Sequence, residues 1–266
     1  MPMATEDRSE LGDFLRSRRE RLTPAALGLP SGRRRRTPGL RREEVAELAG
    51  IGVDWYVRLE QGRSVRPSVA TIDALAQALR LDPAERTHLR ALARSPRHQP
   101  FARETVPAPI RRLVESLTQP AYVTGRRRDV LAWNAAAADI LTDFAQAPEA
   151  DRNVLIWMLT NPQARARFGP GWADEARRMV AQFRATHDLW ARDPAFEALM
   201  TRLRDGSPEF AAWWDAHDIR RSQAGHKVFY YPSRPGCPGR APLRFEYVTF
   251  QANDDPALKL SIYTPA

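Results

Sequence analysis

One cysteine, Cys237, and two lysines, Lys227 and Lys259, are all that the 266 residues contain of these types. A lone thiol cannot close a disulfide within the chain, which excludes a disulfide-stapled scaffold and fits a reducing compartment. Long apolar runs are scarce too. The longest clear one, Val154 to Leu159, has only six residues, far short of the ~20 that a membrane-spanning helix needs. The first residues lack the apolar segment of a signal peptide. The expectation is a soluble, cytoplasmic protein with no membrane partner. Catalytic signatures are also missing. His88, His98, His187, His217 and His226 show no metal-ligand spacing and Cys237 has no cysteine beside it, so no metal is expected. There is no Gly-x-Ser-x-Gly elbow, phosphate-binding glycine loop or dinucleotide fingerprint. His187-Asp188 and His217-Asp218 are adjacent pairs, and neighbours on a helix point about 100° apart, so neither predicts a dyad. No catalytic residue is assigned, and an enzyme is not expected.

What the chain has in excess is positive charge: 41 basic against 32 acidic residues, net +9, pI near 10.5. Such a balance favours a polyanionic partner. Residues 1–100 hold nineteen arginines against thirteen acids, so the surplus lies mainly there. The preponderance of arginine over lysine also reflects base composition, so it is not counted as a sign of forked recognition. The length allows two domains. Ser95 to Pro109 contains four prolines and little periodicity, the composition of a semi-stiff connector. The expected organisation is a DNA-binding domain over 9–94, a linker over 95–109 and a second domain over 110–266.

Within the basic half, Val45, Ala46 and Ala49 recur at helical spacing, Gly50 stands where a helix end takes a left-handed residue, and Tyr56 and Leu59 resume the period. Two short helices joined by a tight turn follow, closed by Gly62, with small Ala46 at their crossing. An ordinary helical hairpin has the same pattern, but its surroundings favour DNA. Gly32 to Arg42 carries six arginines in eleven residues. Behind the pair, Val69, Ile72, Leu75, Ala76 and Leu79 mark a fourth helix, and Asp82-Pro83 opens a fifth with an N-cap and a proline at the first helical position. Leu11, Phe14, Leu15 and Leu22 supply the first. The fold expected is an all-α, five-helix helix-turn-helix domain.

These residues resemble a known family. Arg36-Thr-Pro-Gly-Leu-Arg-Arg-Glu-Glu-Val-Ala46, then Ala49-Gly50, Trp55-Tyr-Val-Arg-Leu-Glu-Gln-Gly-Arg63 and a proline-led fourth helix look like the MmyB-like transcription regulators of the XRE, or Cro/repressor-like, helix-turn-helix class. The likeness continues through the rest of the chain. It implies a recognition helix beginning near Gly52, with Val53, Asp54, Trp55 and Arg58 towards the groove or the backbone and Tyr56 and Leu59 turned inward. Arg58 would fork onto a guanine edge or clamp a phosphate. Asp54 would accept from a cytosine amino group or cap its own helix, and capping is the favoured role. Arg41 and Arg42 match positions that touch the DNA backbone, and Arg63 stands at the end of the recognition helix. Arg33, Arg34, Arg35 and Arg36 read either as a loop gripping phosphate or the minor groove, or as a solvated turn; phosphate contact is favoured. One departure is Gly52, where many relatives have a capping serine. Another is Pro232 to Pro242, a loop longer and richer in proline than is usual in family hairpins.

The resemblance also implies a C-terminal PAS-like domain that takes a small apolar, fatty-acid-like ligand, with no other cofactor. The residues agree with an α+β fold. Pro120 to Asn134 reads as a hairpin turning at Gly125, followed by a helix from an Asn134 N-cap to Phe144. A helical middle follows, in which Trp172, Ala176, Met179, Val180, Phe183 and Trp190 keep helical spacing, with shorter helices over Pro194 to Arg204 and Pro208 to Ala216. Strands are expected over His226 to Tyr231, Leu243 to Phe250 and Leu258 to Tyr263. Two plus three strands make a five-stranded antiparallel sheet with helices on one face. Tyr122, Trp133, Trp157, Met158, Phe183, Trp190, Phe229 and Tyr247 are candidates for a ligand pocket, or are simply core. Arg220 or Arg221 would meet a ligand carboxylate, although solvent is the more usual place for them. The partners expected are double-stranded DNA, an apolar small molecule and a second copy of the chain, because one recognition helix reads too few bases. The alternative is a DNA-binding protein whose second half only oligomerises or docks a partner.

Overall fold

In the computed structural model, which describes residues 10–29, 38–63, 67–94, 100–220, 223–231 and 240–266, the chain divides after His98 into two units. Arg33 to Arg36, Arg221 and residues 232–239 lie outside the described residues.

The first unit has five helices: α1 (Glu10–Arg21), α2 (Arg42–Leu48), α3 (Val53–Glu60), α4 (Val69–Ala78) and α5 (Pro83–Arg94). The starts of α4 and α5 follow side-chain chemistry. Ser68 Oγ accepts from the Thr71 amide at 3.1 Å. Asp82 accepts from Ala84 and Glu85 at 2.7 and 2.9 Å while Glu85 accepts from the Asp82 amide at 3.1 Å, a reciprocal box. Gly50 turns the chain between α2 and α3 with φ +64°. Gly39 also has a left-handed φ, and a Cβ there would stand 2.3 Å from the Arg19 carbonyl oxygen, so only glycine lets the chain at 38–40 pass the end of α1. Phe14, Leu15, Val45, Ala46, Tyr56, Leu59, Ile72, Leu75 and Leu89 form the core.

A carboxylate ties these helices together. Glu60, at the end of α3, is 1% exposed. Arg19 of α1 donates to it from Nε at 2.9 Å and Nη2 at 3.0 Å, and Arg42 of α2 donates from Nε at 3.0 Å. Three helices therefore meet at one buried charge. Burial alone would raise the Glu60 pKa, but the hydrogen bonds and charges of Arg19 and Arg42 outweigh it and hold the carboxyl below the ordinary range.

The second unit contains α6 (Ala108–Ser116), β1 (Ala121–Thr124), β2 (Val130–Trp133), α7 (Ala135–Ile140), α8 (Val154–Thr160), α9 (Pro162–Phe168), α10 (Trp172–His187), α11 (Pro194–Gly206), α12 (Pro208–Asp215), β3 (Gly225–Tyr231), β4 (Arg240–Gln251) and β5 (Lys259–Pro265). The five strands run in the order β2-β1-β5-β4-β3 with every neighbouring pair antiparallel. The hairpin and the three C-terminal strands stand where the sequence places them, and β5 joins the two groups.

Four expectations change. The Asn134-capped helix stops at Ile140 rather than Phe144, because Leu141 leaves helical geometry and Asp143 caps a separate 3-10 turn over Phe144–Gln146. The Val154 to Leu159 run, assigned no element, is α8; Asn153 Oδ1 accepts from Leu155 and Ile156 at 2.9 and 3.3 Å and opens it. Helices cover both faces of the sheet, not one. Ile110, Val114 and Leu117 at α6 pack with Val123, Ala132 and Leu258 on one side. Tyr122, Phe229, Phe245, Tyr247 and Tyr263 pack on the other, with the large aromatic core of α8, α10 and α11. The expected linker is also shorter than 95–109. Val106 is buried, and the Phe101 amide donates to Asp193 at 2.6 Å while its ring meets Phe196 edge-on at 5.3 Å. Prolines stiffen this stretch, but burial of its apolar side chains sets where it lies.

Glu60→Gln is expected to lower the stability of the first unit by about 2 to 4 kcal/mol, because buried Arg19 then keeps only the partly exposed Glu20, at 3.2 Å, as a counter-charge. Hydrogen exchange over residues 10–94, compared between the variant and the unaltered chain, reads this directly. The clasp's contribution is complete above the ordinary carboxylate value of 4.5 and is lost as pH falls through the lower folded value.

Candidate functional site

On α3, alternation between inward and outward positions sorts the motif. Tyr56, Leu59 and Glu60 point into the unit, while Val53, Asp54 and Arg58 are exposed and Trp55 is half-buried. Val53 is 38% exposed, which leaves it free to contact a base methyl. No side chain caps α3, since Gly52 occupies the N-cap; the expected capping by Asp54 is absent, because Asp54 stands inside the first turn. There its charge favours the helix start through the backbone dipole. Arg41 precedes α2, its amide donating to Glu44 at 2.6 Å and its side chain exposed. Arg42 differs from a free backbone clamp. Its guanidinium is tied to Glu60, with 36% of the side chain exposed, so it is presented at a fixed angle beside α3. Arg63 is exposed just beyond α3.

In the second unit, Tyr122, Trp157, Met158, Phe183, Phe229 and Tyr247 are buried in one cluster, and Trp133 and Trp190 pack against it half-buried. All eight predicted ligand residues therefore share one aromatic body. Ring contacts run through it, Phe229 meeting Phe168 at 5.1 Å and Tyr263 at 5.8 Å. Trp157 also lines a cleft of about 350 Å³ with Phe144, Ile156 and Arg202. Arg220 is exposed and borders a second cleft, of about 400 Å³, with Phe168, Glu175, Arg178 and Lys227.

A polar seam crosses this apolar face, and it was not foreseen. Tyr122 stands opposite Ser261, and Tyr247 opposite Tyr263, so strand alternation raises the three tyrosines on one side of the sheet. The Tyr122 and Tyr263 hydroxyls lie 3.4 Å apart. Lys227 donates to Tyr263 at 3.1 Å and pairs with Glu175 at 2.9 Å. Arg178 binds both Glu175 and the Tyr247 hydroxyl. Burial works against the Glu175 charge, and Lys227 and Arg178 outweigh it to keep the carboxyl ionised. Burial pushes the Tyr122 and Tyr263 phenols up, so both stay protonated donors. At the end of the seam Lys259 is pushed down to about 8 by burial and by nearby Arg128. A signal was available: the only two lysines of the chain both stand at strand positions.

Contrary to expectation, His187 and Asp188 do meet, at 3.3 Å, because Asp188 lies at the helix end. The pair is buried against Phe183, Phe196 and Trp214, with Arg184 also near Asp188 at 3.6 Å.

Lys259→Met removes a cation that folding desolvates. Between the folded value near 8 and the ordinary 10.5 the unfolded chain binds more protons, so stability rises with pH across that window. The variant is expected to be more stable at pH 7 by roughly 1 to 2 kcal/mol, after allowing for solvent screening, and to lose that pH-dependent gain. Thermal melts of both proteins from pH 7 to 10 measure it.

Comparison with known proteins agrees with this division. Residues 10–89 match the model of a helix-turn-helix domain, and residues 106–266 match the MmyB-like transcription regulator ligand binding domain. A search of the curated proteins returns no match. No helix among the described residues is long and apolar enough to cross a membrane. Neither matched domain is an enzyme family, and the second match covers more than half of the sequence. With a helix-turn-helix domain followed by that ligand-binding domain, the chain belongs to the MmyB-like transcription regulators.

Proposed function

We propose that this protein is a sequence-specific, DNA-binding transcription regulator whose hold on its operator is modulated by a small, fatty-acid-like molecule in the second unit. The observation that carries the DNA half is the outer face of α3. It presents Val53, Asp54 and Arg58 together, beside an Arg42 fixed by Glu60. An α-helix presenting such a face fits the major groove, and a guanidinium there reads guanine. Arg33 to Arg36 and Arg41 supply phosphate contacts. A two-fold dimer doubles the number of bases read. In the second unit the aromatic body crossed by a polar seam has the composition of a ligand site, mostly apolar with a few polar groups to orient the guest.

A second reading, in which this unit serves oligomerisation or partner docking alone, is favoured by one feature. Val248 and Phe250 stand opposite Ile262 and Leu260 on the side of the sheet that carries α6, and with Leu113 they leave apolar surface exposed.

Two measurements test the proposal. Replacing Arg33 to Arg36 with alanine is expected to weaken operator and random DNA alike and to flatten the salt dependence, whereas Arg58→Ala costs about 1 to 3 kcal/mol of discrimination at one base pair. Fluorescence anisotropy titrations at several salt concentrations separate these outcomes, and an unchanged salt slope removes the arginine loop from the interface. Native mass spectrometry of freshly purified protein addresses the second unit. A persistent added mass released by organic solvent is expected, and repeatedly clean spectra favour docking.

A further inference from the structure

The turn between β1 and β2 holds three consecutive arginines, Arg126, Arg127 and Arg128. The first two have acids. Arg126 binds Glu104 at 3.0 Å, and Arg127 grips Asp129 with both arms at 2.9 Å. Arg128 does not. Among the described residues its side chain makes no hydrogen bond and no ion pair, and the same is true of Lys259. The carboxylates nearby are engaged: Asp129 is held by Arg127 and by the Asn153 amide at 3.0 Å, and Glu175 by Lys227 and Arg178.

Arg128 is half-buried, near the buried Tyr122 of β1. Burial works against its charge, offset only in part by Tyr122 and Tyr247. The backbone holds it there at a cost: Arg128 has φ +69°, a left-handed conformation rare outside glycine and asparagine, and its carbonyl accepts from the Val154 amide at 3.0 Å. The same register that stacks the tyrosines puts Lys259 opposite Thr124, on the inner face at the same end of the sheet. Two desolvated cations with no acid, next to protonated phenols and an aromatic body, are complementary to a molecule with one anionic end and an apolar remainder.

We propose that Arg128, assisted by Lys259, anchors the carboxylate of an apolar acid whose hydrocarbon part lies against the aromatic core of the second unit. The assignment rests on the ligand-sensing reading above and adds to it a charge requirement and a named contact. The unanswered cations make the empty site electrostatically unfavourable, and a bound carboxylate supplies the missing partner as hydrogen bonds form with the guanidinium.

The experiment uses the full chain and two probes with the same twelve-carbon body, dodecanoate and dodecan-1-ol, titrated by calorimetry and followed by tryptophan fluorescence. The unaltered protein is expected to bind dodecanoate more tightly than the alcohol. Arg128→Gln should weaken dodecanoate by about ten- to a hundredfold, leave the alcohol unchanged and melt no lower without ligand, and Arg128→Lys should restore part of the loss. A gap between the two probes that survives Arg128→Gln, or equal loss of both, overturns the anchor and leaves the sensing function standing. If neither probe binds the unaltered protein, both fall. Should Arg128→Gln not fold, Lys259→Gln must narrow the same gap, and an unchanged gap there overturns the proposal.

Discussion

A charge taken out of water must be answered within the protein, and this constraint organises both units. In the first, Glu60 is the charge and Arg19 and Arg42 are the answer. Because the three residues come from three helices, satisfying one carboxylate sets the packing of α1, α2 and α3 at once. Arg42 serves the fold and, through the exposed part of its side chain, the outer face beside α3. In the second unit Asp129 is answered by Arg127 and Glu175 by Lys227 and Arg178. Arg128 and Lys259 are the exceptions among the described residues of that unit's inner face, and the proposed anion anchor rests on them.

The sheet supplies the other constraint. β5 pairs with β1 on one side and β4 on the other, so strands from opposite ends of the unit meet across the last segment of the chain. Long-range pairings of this kind form late and depend on everything between them being in place. One result is a two-sided sheet. The side under α6 is a small aliphatic core that leaves Val248 and Phe250 uncovered, and the other side carries the aromatic body and the tyrosines. The two sides of the sheet therefore differ in chemistry, one aromatic and polar-seamed, the other aliphatic and partly uncovered.

Much of the architecture was legible from local chemistry. Periodic apolar residues, Asp82-Pro83 and the left-handed Gly50 mark the first unit's helices because each acts within one turn of chain. Strand alternation marked β3, β4 and β5 for the same reason. Less legible were elements without an alternating face. The Val154 to Leu159 run is buried on all sides, so period carries no information there and only the Asn153 cap identifies a helix. Proline content was misleading over 101–107, since stiffness and burial are compatible.

By itself the sequence determined the two-part organisation, the helix-turn-helix, the outward face of α3 and the existence of an aromatic-rich α+β unit, all consequences of spacing along a helix or strand. Tertiary structure alone decided that Glu60 joins three helices, that Arg42 is held in place rather than free, and that of three adjacent arginines only Arg128 lacks an acid. Those outcomes depend on which side chains meet across tens or hundreds of residues, and on which charges remain after the pairs have formed.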